Sequence, residues 1–421
     1  MKIQNRKILT QLKTRLLKDK LVILNGARQT GKTTLCQKIL PKILKKSIFY
    51  VSFDDPEERI RFKDQGIMIL ENIKEEIIIL DEVQKIPEIL DCVKFVFDQE
   101  KTKKKRKLFI LTGSCQLTLL KRVKETLAGR ASILNLYPFS LNELNKNSNY
   151  NFLSKVISSP FNIKDFKKNE LILKTSLKRK IINIKNNILF WGGYPPVYEK
   201  KEKIDKINWL KNYQNTYLER DIFDIGQVEK IDTFARVQKM LATRTAQLFS
   251  LSEISKELGL AVNTVKRYIY LLEISFQCFL LRPYFNNATK RLVKTPKIYF
   301  SDNGLLKTIL GNLTINSGHI YENWIFSEII KWKELQTIKP EIYFYQTSSK
   351  LEVDFIICQE DKILPLEVKQ AKKIKESFSK SIRKFKKDYS QVKLGIVCYQ
   401  GDKIEEIEKN IWAVPDWMIF S

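Results

Sequence analysis

Histidine is almost absent: His319 is the single one among 421 residues. That excludes HExxH metal centres and Cys/His zinc arrangements, and it weighs against a Ser-His-Asp triad. Cysteine is sparse and scattered (Cys36, Cys92, Cys115, Cys278, Cys358, Cys398), with no CxxC pair. These positions, mostly among apolar neighbours, read as buried reduced thiols. No apolar run approaches the ~20 residues of a membrane-spanning helix, and the opening MKIQNRKILTQLKTRLLKDK lacks the apolar core of a signal peptide. No internal repeat or low-complexity linker stands out. The expectation is a soluble, cytoplasmic protein with no membrane partner.

What is present begins with charge. Seventy-five basic residues against 47 acidic give +28, which favours an anionic partner, nucleic acid first and DNA before RNA. Composition drift toward Lys, Ile and Asn would give the same excess as ordinary solvated surface. With 43% hydrophobic residues, the length suffices for two or three domains, each with its own core.

The stretch Leu21–Leu40, LVILNGARQTGKTTLCQKIL, carries GxxxxGK[ST] between an apolar strand and a helical pattern. Gly26, Ala27, Arg28, Gln29, Thr30, Gly31, Lys32, Thr33 and Thr34 form the expected phosphate-cradling segment. Glycines at 26 and 31 let successive N–H groups turn inward. Lys32 adds a point charge for the β and γ phosphates, Thr33 offers its hydroxyl to Mg²⁺, and the next helix turns its positive end to the anion. The expected ligands are therefore ATP and Mg²⁺.

Further strands are expected at Ile48–Phe53, ending in Asp54-Asp55-Pro56, at Ile77–Leu80, at Leu108–Leu111 and at Ala131–Leu136. Alternation with helices implies a parallel sheet with ligands at the carboxyl ends of its strands. Asp81-Glu82 after an aliphatic strand suits a Mg²⁺-holding aspartate and a water-polarising glutamate. Ser114 or Thr112, closing the next strand, is placed for the attacking water or γ-phosphate. Arg130 and Arg220 are candidates to stabilise transition-state charge, across a subunit boundary if the chain assembles as a homo-oligomer; structural ion pairs are the alternative.

Two helices around Gly259 form a helix-turn-helix pattern. The second would expose Asn263, Thr264, Lys266, Arg267 and Tyr270 to phosphates and base edges. Strands flanking a basic loop with Lys290, Arg291 and Lys294 would make a wing. The same pattern also serves a packing hairpin or a protein-binding winged helix. Nearer the C-terminus, Glu322 opens a helix, Asp354 lies on one strand, and Glu367 and Lys369 share one side of the next. Three carboxylates make a candidate Mg²⁺ site, and the lysine could orient or deprotonate a water.

The chain as a whole resembles a family of prokaryotic AAA-type ATPases with a winged helix and a C-terminal restriction-endonuclease-like domain. The stretches GARQTGKTT, FDDP, DEVQKIP, LTGS, LAGRA, GGYPPVYE, YLERDI, PKIYFSDNGLL, YENWIFSEI, EVDFI and LEVK carry the likeness. It implies Mg-ATP binding by Gly31, Lys32, Thr33 and Asp81, hydrolysis assisted by Glu82, and a PD-(D/E)xK-like centre at Glu322, Asp354, Glu367 and Lys369. Gln346 stands where the family often has arginine. The expected fold is α/β, with an ATPase core over 1–140, a helical lid or linker over 141–235, a winged helix-turn-helix over 236–303 and a small α/β nuclease-like domain over 304–421.

Overall fold

The aliphatic runs that precede Gly26, Asp81 and Thr112 become neighbouring parallel strands. The computed structural model describes residues 4–100, 106–113, 126–145, 152–158, 163–164, 175–216, 231–285 and 295–421. These form two compact units, Met1–Pro138 with Tyr194–Pro196 and Ile274–Gln277, and Phe139–Gly193 with Val197–Glu273 and Cys278–Ser421.

In the first unit, α1 (Ile8–Asp19) leads into β1 (Leu21–Asn25), and the phosphate-loop motif opens α2 (residues 32–44). Then come β2 (Ile48–Ser52), α3 (Pro56–Asn72), β3 (Ile77–Asp81), α4 (Ile89–Gln99), β4 (Leu108–Gly113) and β5 (Ser132–Asn135). The sheet order is β2-β3-β4-β1-β5, parallel throughout. β1, β3 and β4 are buried at every position; such unbroken apolar runs belong to central strands covered on both faces. Helix α3 goes beyond the sequence expectation, which stopped at Asp54-Asp55-Pro56. The Asp55 carboxylate accepts the Glu57 N–H at 2.9 Å and Pro56 takes the first turn, so the motif is a helix start.

The second unit begins with helices α5 (Leu141–Leu144), α6 (Phe152–Ser158), α7 (Thr175–Trp191) and α8 (Lys203–Thr216). Next are α9 (Ile231–Thr243), α10 (Leu251–Leu258) and α11 (Val262–Ile274), then an antiparallel pair, β6 (Cys278–Leu281) and β7 (Lys297–Phe300). Gly259, in the left-handed region at φ 64°, ends α10 and turns the chain toward α11. After α12 (Asn303–Leu310) and α13 (Gly318–Glu334) come β8 (Glu341–Gln346), β9 (Glu352–Gln359), β10 (Lys362–Lys369), α14 (Lys380–Asp388), β11 (Gly395–Tyr399), β12 (Glu405–Glu408), β13 (Ile411–Pro415) and α15 (Asp416–Phe420). The mixed sheet runs β12-β13-β11-β10-β9-β8.

Its β8 edge is covered. The chain leaving β6 bonds to it through Tyr284 N–H to the Phe344 carbonyl (2.6 Å) and Phe344 N–H to the Arg282 carbonyl (3.1 Å). An otherwise open edge is thereby satisfied, and the β6–β7 pair is fastened to the six-stranded sheet.

Several motif residues serve this unit's architecture. Asp302 caps α12 and accepts the Gly193 N–H at 2.7 Å. A Cβ at Gly193 would lie 2.3 Å from the Phe139 carbonyl oxygen, so GGYP is glycine by steric necessity. Asn323 bonds both N–H and C=O of Phe300 and the side chain of Asn303, which ties α13 to β7. Lys185 and Asp416 form a buried ion pair at 3.0 Å, and Tyr321 Oη donates to the same carboxylate at 2.8 Å.

Candidate functional site

The first site lies at the carboxyl ends of β1, β3 and β4. Gly26 leaves β1 at φ 155°, and a Cβ there would approach the Leu136 carbonyl oxygen to 2.3 Å; only glycine fits. Gln29 and Gly31 also take positive φ. The Thr30 hydroxyl donates to the Ala27 carbonyl at 2.9 Å, tightening the turn. The Lys32 ammonium, 5% exposed, donates to the carbonyls of Gly26 (2.7 Å) and Ala27 (3.0 Å). An anion at the loop would give that charge stronger partners than carbonyl dipoles.

Asp81 gathers three hydroxyls. Its Oδ2 accepts from Thr33 Oγ1 (3.1 Å) and from Tyr50 Oη (2.5 Å), and its Oδ1 accepts from Thr112 Oγ1. The Glu82 N–H reaches back to the Thr112 hydroxyl at 3.3 Å. Glu82 itself sits in the left-handed region at φ 57°, which turns its side chain off the strand course, and Gln84 Nε2 donates to its Oε2. A non-glycine residue held at such φ costs about 1 kcal/mol or more and recurs at functional sites. Burial and the adjacent Asp81 carboxylate push the Tyr50 phenol well above its ordinary range. The Thr33 hydroxyl and Asp81 carboxylate already stand together, which is the donor set a Mg²⁺ ion takes beside a nucleotide.

Two participants had no sequence signal. Tyr50 stands out only once β2 is known to flank β3. Arg6 donates to the Thr30 carbonyl at 2.7 Å and to the Tyr137 carbonyl at 2.5 Å, so it braces the loop from a distant part of the sequence. Arg130 makes a two-pronged ion pair with Asp98, at 2.9 and 3.0 Å. Ser114, Arg220 and the wing residues Lys290, Arg291 and Lys294 lie outside the described residues.

On α11, Asn263 and Lys266 are exposed, as is Tyr270, while Thr264 and Arg267 are half-buried. The Arg267 guanidinium lies 5.5 Å from the ring centre of Tyr268.

The second carboxylate site is shaped by a bulge. Tyr343 pairs with Ile356 but Tyr345 with Val353, so β9 takes three steps where β8 takes two. The extra residue falls at Asp354-Phe355, and such bulges re-aim side chains. Asp354 Oδ2 accepts the Val368 N–H at 2.7 Å beyond the last β9–β10 pair. Glu367 Oε1 takes the Lys369 ammonium at 2.5 Å, while its buried Oε2 has no hydrogen-bond partner. Glu322 is turned elsewhere: its Oε1 accepts from Tyr299 Oη (2.5 Å) and from Lys297 Nζ (3.3 Å). Lys297 also pairs with Glu352, whose second oxygen accepts from Gln346 Nε2 at 2.9 Å.

Burial, then repulsion from Glu322, raises Asp354 to about 7; burial, then repulsion from Asp354, raises Glu367 to about 8. Among the described residues, no three metal-binding side chains are gathered closely enough to hold an ion. The free Glu367 oxygen suits a cation, but Glu322 as it stands serves the lysine.

Among the described residues, no helix is long and apolar enough to cross a membrane. The five described cysteines are free.

Comparison with known proteins gives three family models. Residues 18–145 match one described as an AAA domain, and residues 184–315 and 317–419 match two described as domains of unknown function (DUF8612 and DUF4143). With the strand order and the loop, the first match supports an AAA-type ATPase fold for the N-terminal unit. An uncharacterized Mycobacterium tuberculosis protein is 26% identical over 99% of this chain and 84% of its own length. An uncharacterized Methanocaldococcus jannaschii protein is 26% identical over 96% of this chain and 89% of its own. Among solved structures, the Aeropyrum pernix ORC1 protein in complex with DNA aligns over 74% of this chain and 93% of its own, at 14% identity and TM-score 0.29. A Thermotoga maritima RuvB aligns over 69% and 95%, at 16% identity and TM-score 0.27.

Proposed function

We propose that the chain binds ATP with Mg²⁺ in its 26–34 loop, hydrolyses it, and uses the cycle to switch or drive its second unit on nucleic acid, DNA before RNA. The observation that carries the ATP reading is Asp81 holding the hydroxyls of Thr33 and Thr112 at once. Lys32 exchanges the Gly26 and Ala27 carbonyls for phosphate oxygens. Bound Mg²⁺, held through Thr33 and Asp81, supplies charge neutralisation on the phosphates. Glu82 orients a water in line with the γ-phosphorus and draws its proton. Thr112 stands in the β4 position beside that water, the role the sequence also offered to Ser114. Arg130 serves a nucleotide only if it leaves Asp98, so its finger role in a homo-oligomer is the weaker assignment.

The nucleic-acid part of the reading rests on the +28 charge and on α11 following a short turn after α10 in a 236–303 winged helix. There Asn263, Thr264, Lys266 and Arg267 face the ligand. For residues 304–421, one observation favours a second reading, a binding or switching module in place of a working nuclease. The carboxylates of its PD-(D/E)xK-like set are compensated from within, Glu322 by Lys297 and Glu367 by Lys369.

A single-turnover assay tests the ATP reading. E82Q should bind ATP as the parent does and split it about 10²–10⁴-fold more slowly, the usual worth of a positioned base. Equal turnover by parent and E82Q would sink it.

A further inference from the structure

Lys297 is 2% exposed and lies on β7, in the β6–β7 pair. Its ammonium nonetheless ends among carboxylates borne by other elements: Glu322 of α13 at 3.3 Å and Glu352 of β9 in direct contact. Tyr299, two residues along the same strand, donates to the same Glu322 oxygen at 2.5 Å. One strand thus presents a cation and a hydroxyl together to a glutamate that the sequence pattern assigns to a metal. The cluster holds four carboxylates, Glu322, Glu352, Asp354 and Glu367, against two ammonium groups, Lys297 and Lys369. Its negative excess leaves the buried Glu367 Oε2 without any donor.

We infer that Lys297 is a tethered stand-in for a divalent cation: it compensates Glu322 and Glu352 from β7, and an ion enters the cluster only when that ammonium is withdrawn. The physical basis is exclusion by charge and by space. An ammonium in contact with two of the carboxylates repels an incoming cation and ties up the Glu322 oxygen that would bind it. A cation arriving without displacing Lys297 would face a neutralised pair; one replacing it would meet Glu322, Asp354 and the vacant oxygen of Glu367. Because β7 belongs to the hairpin next to α11, anything that shifts β7 changes the cation affinity of the C-terminal sheet. The inference does not depend on the ATP reading, since its residues all lie in the second unit.

The test is hydrogen exchange of the full chain, read on α13, β9 and β10, with EDTA or with excess Mn²⁺ and no nucleotide. In the parent, Mn²⁺ should leave exchange in these segments unchanged. K297M, its carboxylates uncompensated, should exchange faster in EDTA and regain protection with Mn²⁺, in parallel with a melting temperature restored by roughly 5–10 °C. In K297M/E367Q that rescue should be lost. Parent protected by Mn²⁺ as strongly as K297M would overturn the inference, because the lysine would then exclude nothing. So would a K297M chain that fails to fold with or without the ion, because Lys297 would then be an obligatory structural partner that no cation replaces.

Discussion

Tyr50 on β2 donates its phenolic proton to Asp81 on β3 across 2.5 Å. The strands pair with Ser52 opposite Asp81, so the tyrosine reaches forward along its own strand to the carboxylate. That bond fixes one Asp81 oxygen in the direction of Thr33, the pair expected to share Mg²⁺. Y50F should fold normally and raise the Mg²⁺ concentration for half-maximal ATP turnover about 3–10-fold, the worth of one hydrogen bond to a charged group. A Mg²⁺ titration of the two proteins would expose the idea if the curves coincided.

Stability should depend on pH through the second carboxylate site. Asp354 and Glu367 sit above their ordinary values, at about 7 and about 8, so the folded state holds protons that the unfolded chain has released. Stability from this pair is therefore full below about pH 4 and falls as pH rises toward 8. E367Q removes the titration: relative to the parent it should gain stability at pH 8 and not at pH 4.5, by an amount of order 1–3 kcal/mol. Denaturant midpoints at the two pH values measure it, and a gain that is equal at both would contradict the assignment.

The buried pair Lys185–Asp416 should be among the costliest to break. Asp416 also receives Tyr321 Oη and the Trp417 N–H, and burial alone pushes its carboxyl up against the lysine's pull. D416N leaves an ammonium buried without its counter-charge, which costs about 3–5 kcal/mol. The expected reading is a lowered unfolding midpoint of the second unit with ATP turnover in the first preserved; an unchanged midpoint would deny the pair a structural role.

If α11 meets DNA, log affinity falls linearly with log salt, and K266A should weaken binding uniformly across sequences while lowering that slope by about one. Fluorescence anisotropy at several salt concentrations decides. The absence of binding at low salt would favour the reading in which the second unit contacts protein.

How far the sequence carried depended on whether a residue's partner was local. GARQTGKT is a loop that closes on itself, through Thr30 on Ala27 and Lys32 on Gly26, so its spacing alone announced it. The fully apolar β1, β3 and β4 were equally legible, because central parallel strands need no alternation. Tyr50, Arg6 and Lys297 were not, since each acts on a neighbour that only the strand order or a distant segment supplies. The bulge at Asp354-Phe355 was also hidden, and with it which way Asp354 would point. Asp55-Pro56 carried a helix-start signal, but the expectation stopped at the strand before it.

The central claim is met most directly by equilibrium binding of a fluorescent ATP analogue, with Mg²⁺, to the parent and to K32A. The parent should bind saturably at one site, and K32A should bind at least ~10²-fold more weakly, the cost of removing a charged phosphate ligand from a preorganised loop. Equal binding by the two proteins would contradict the account.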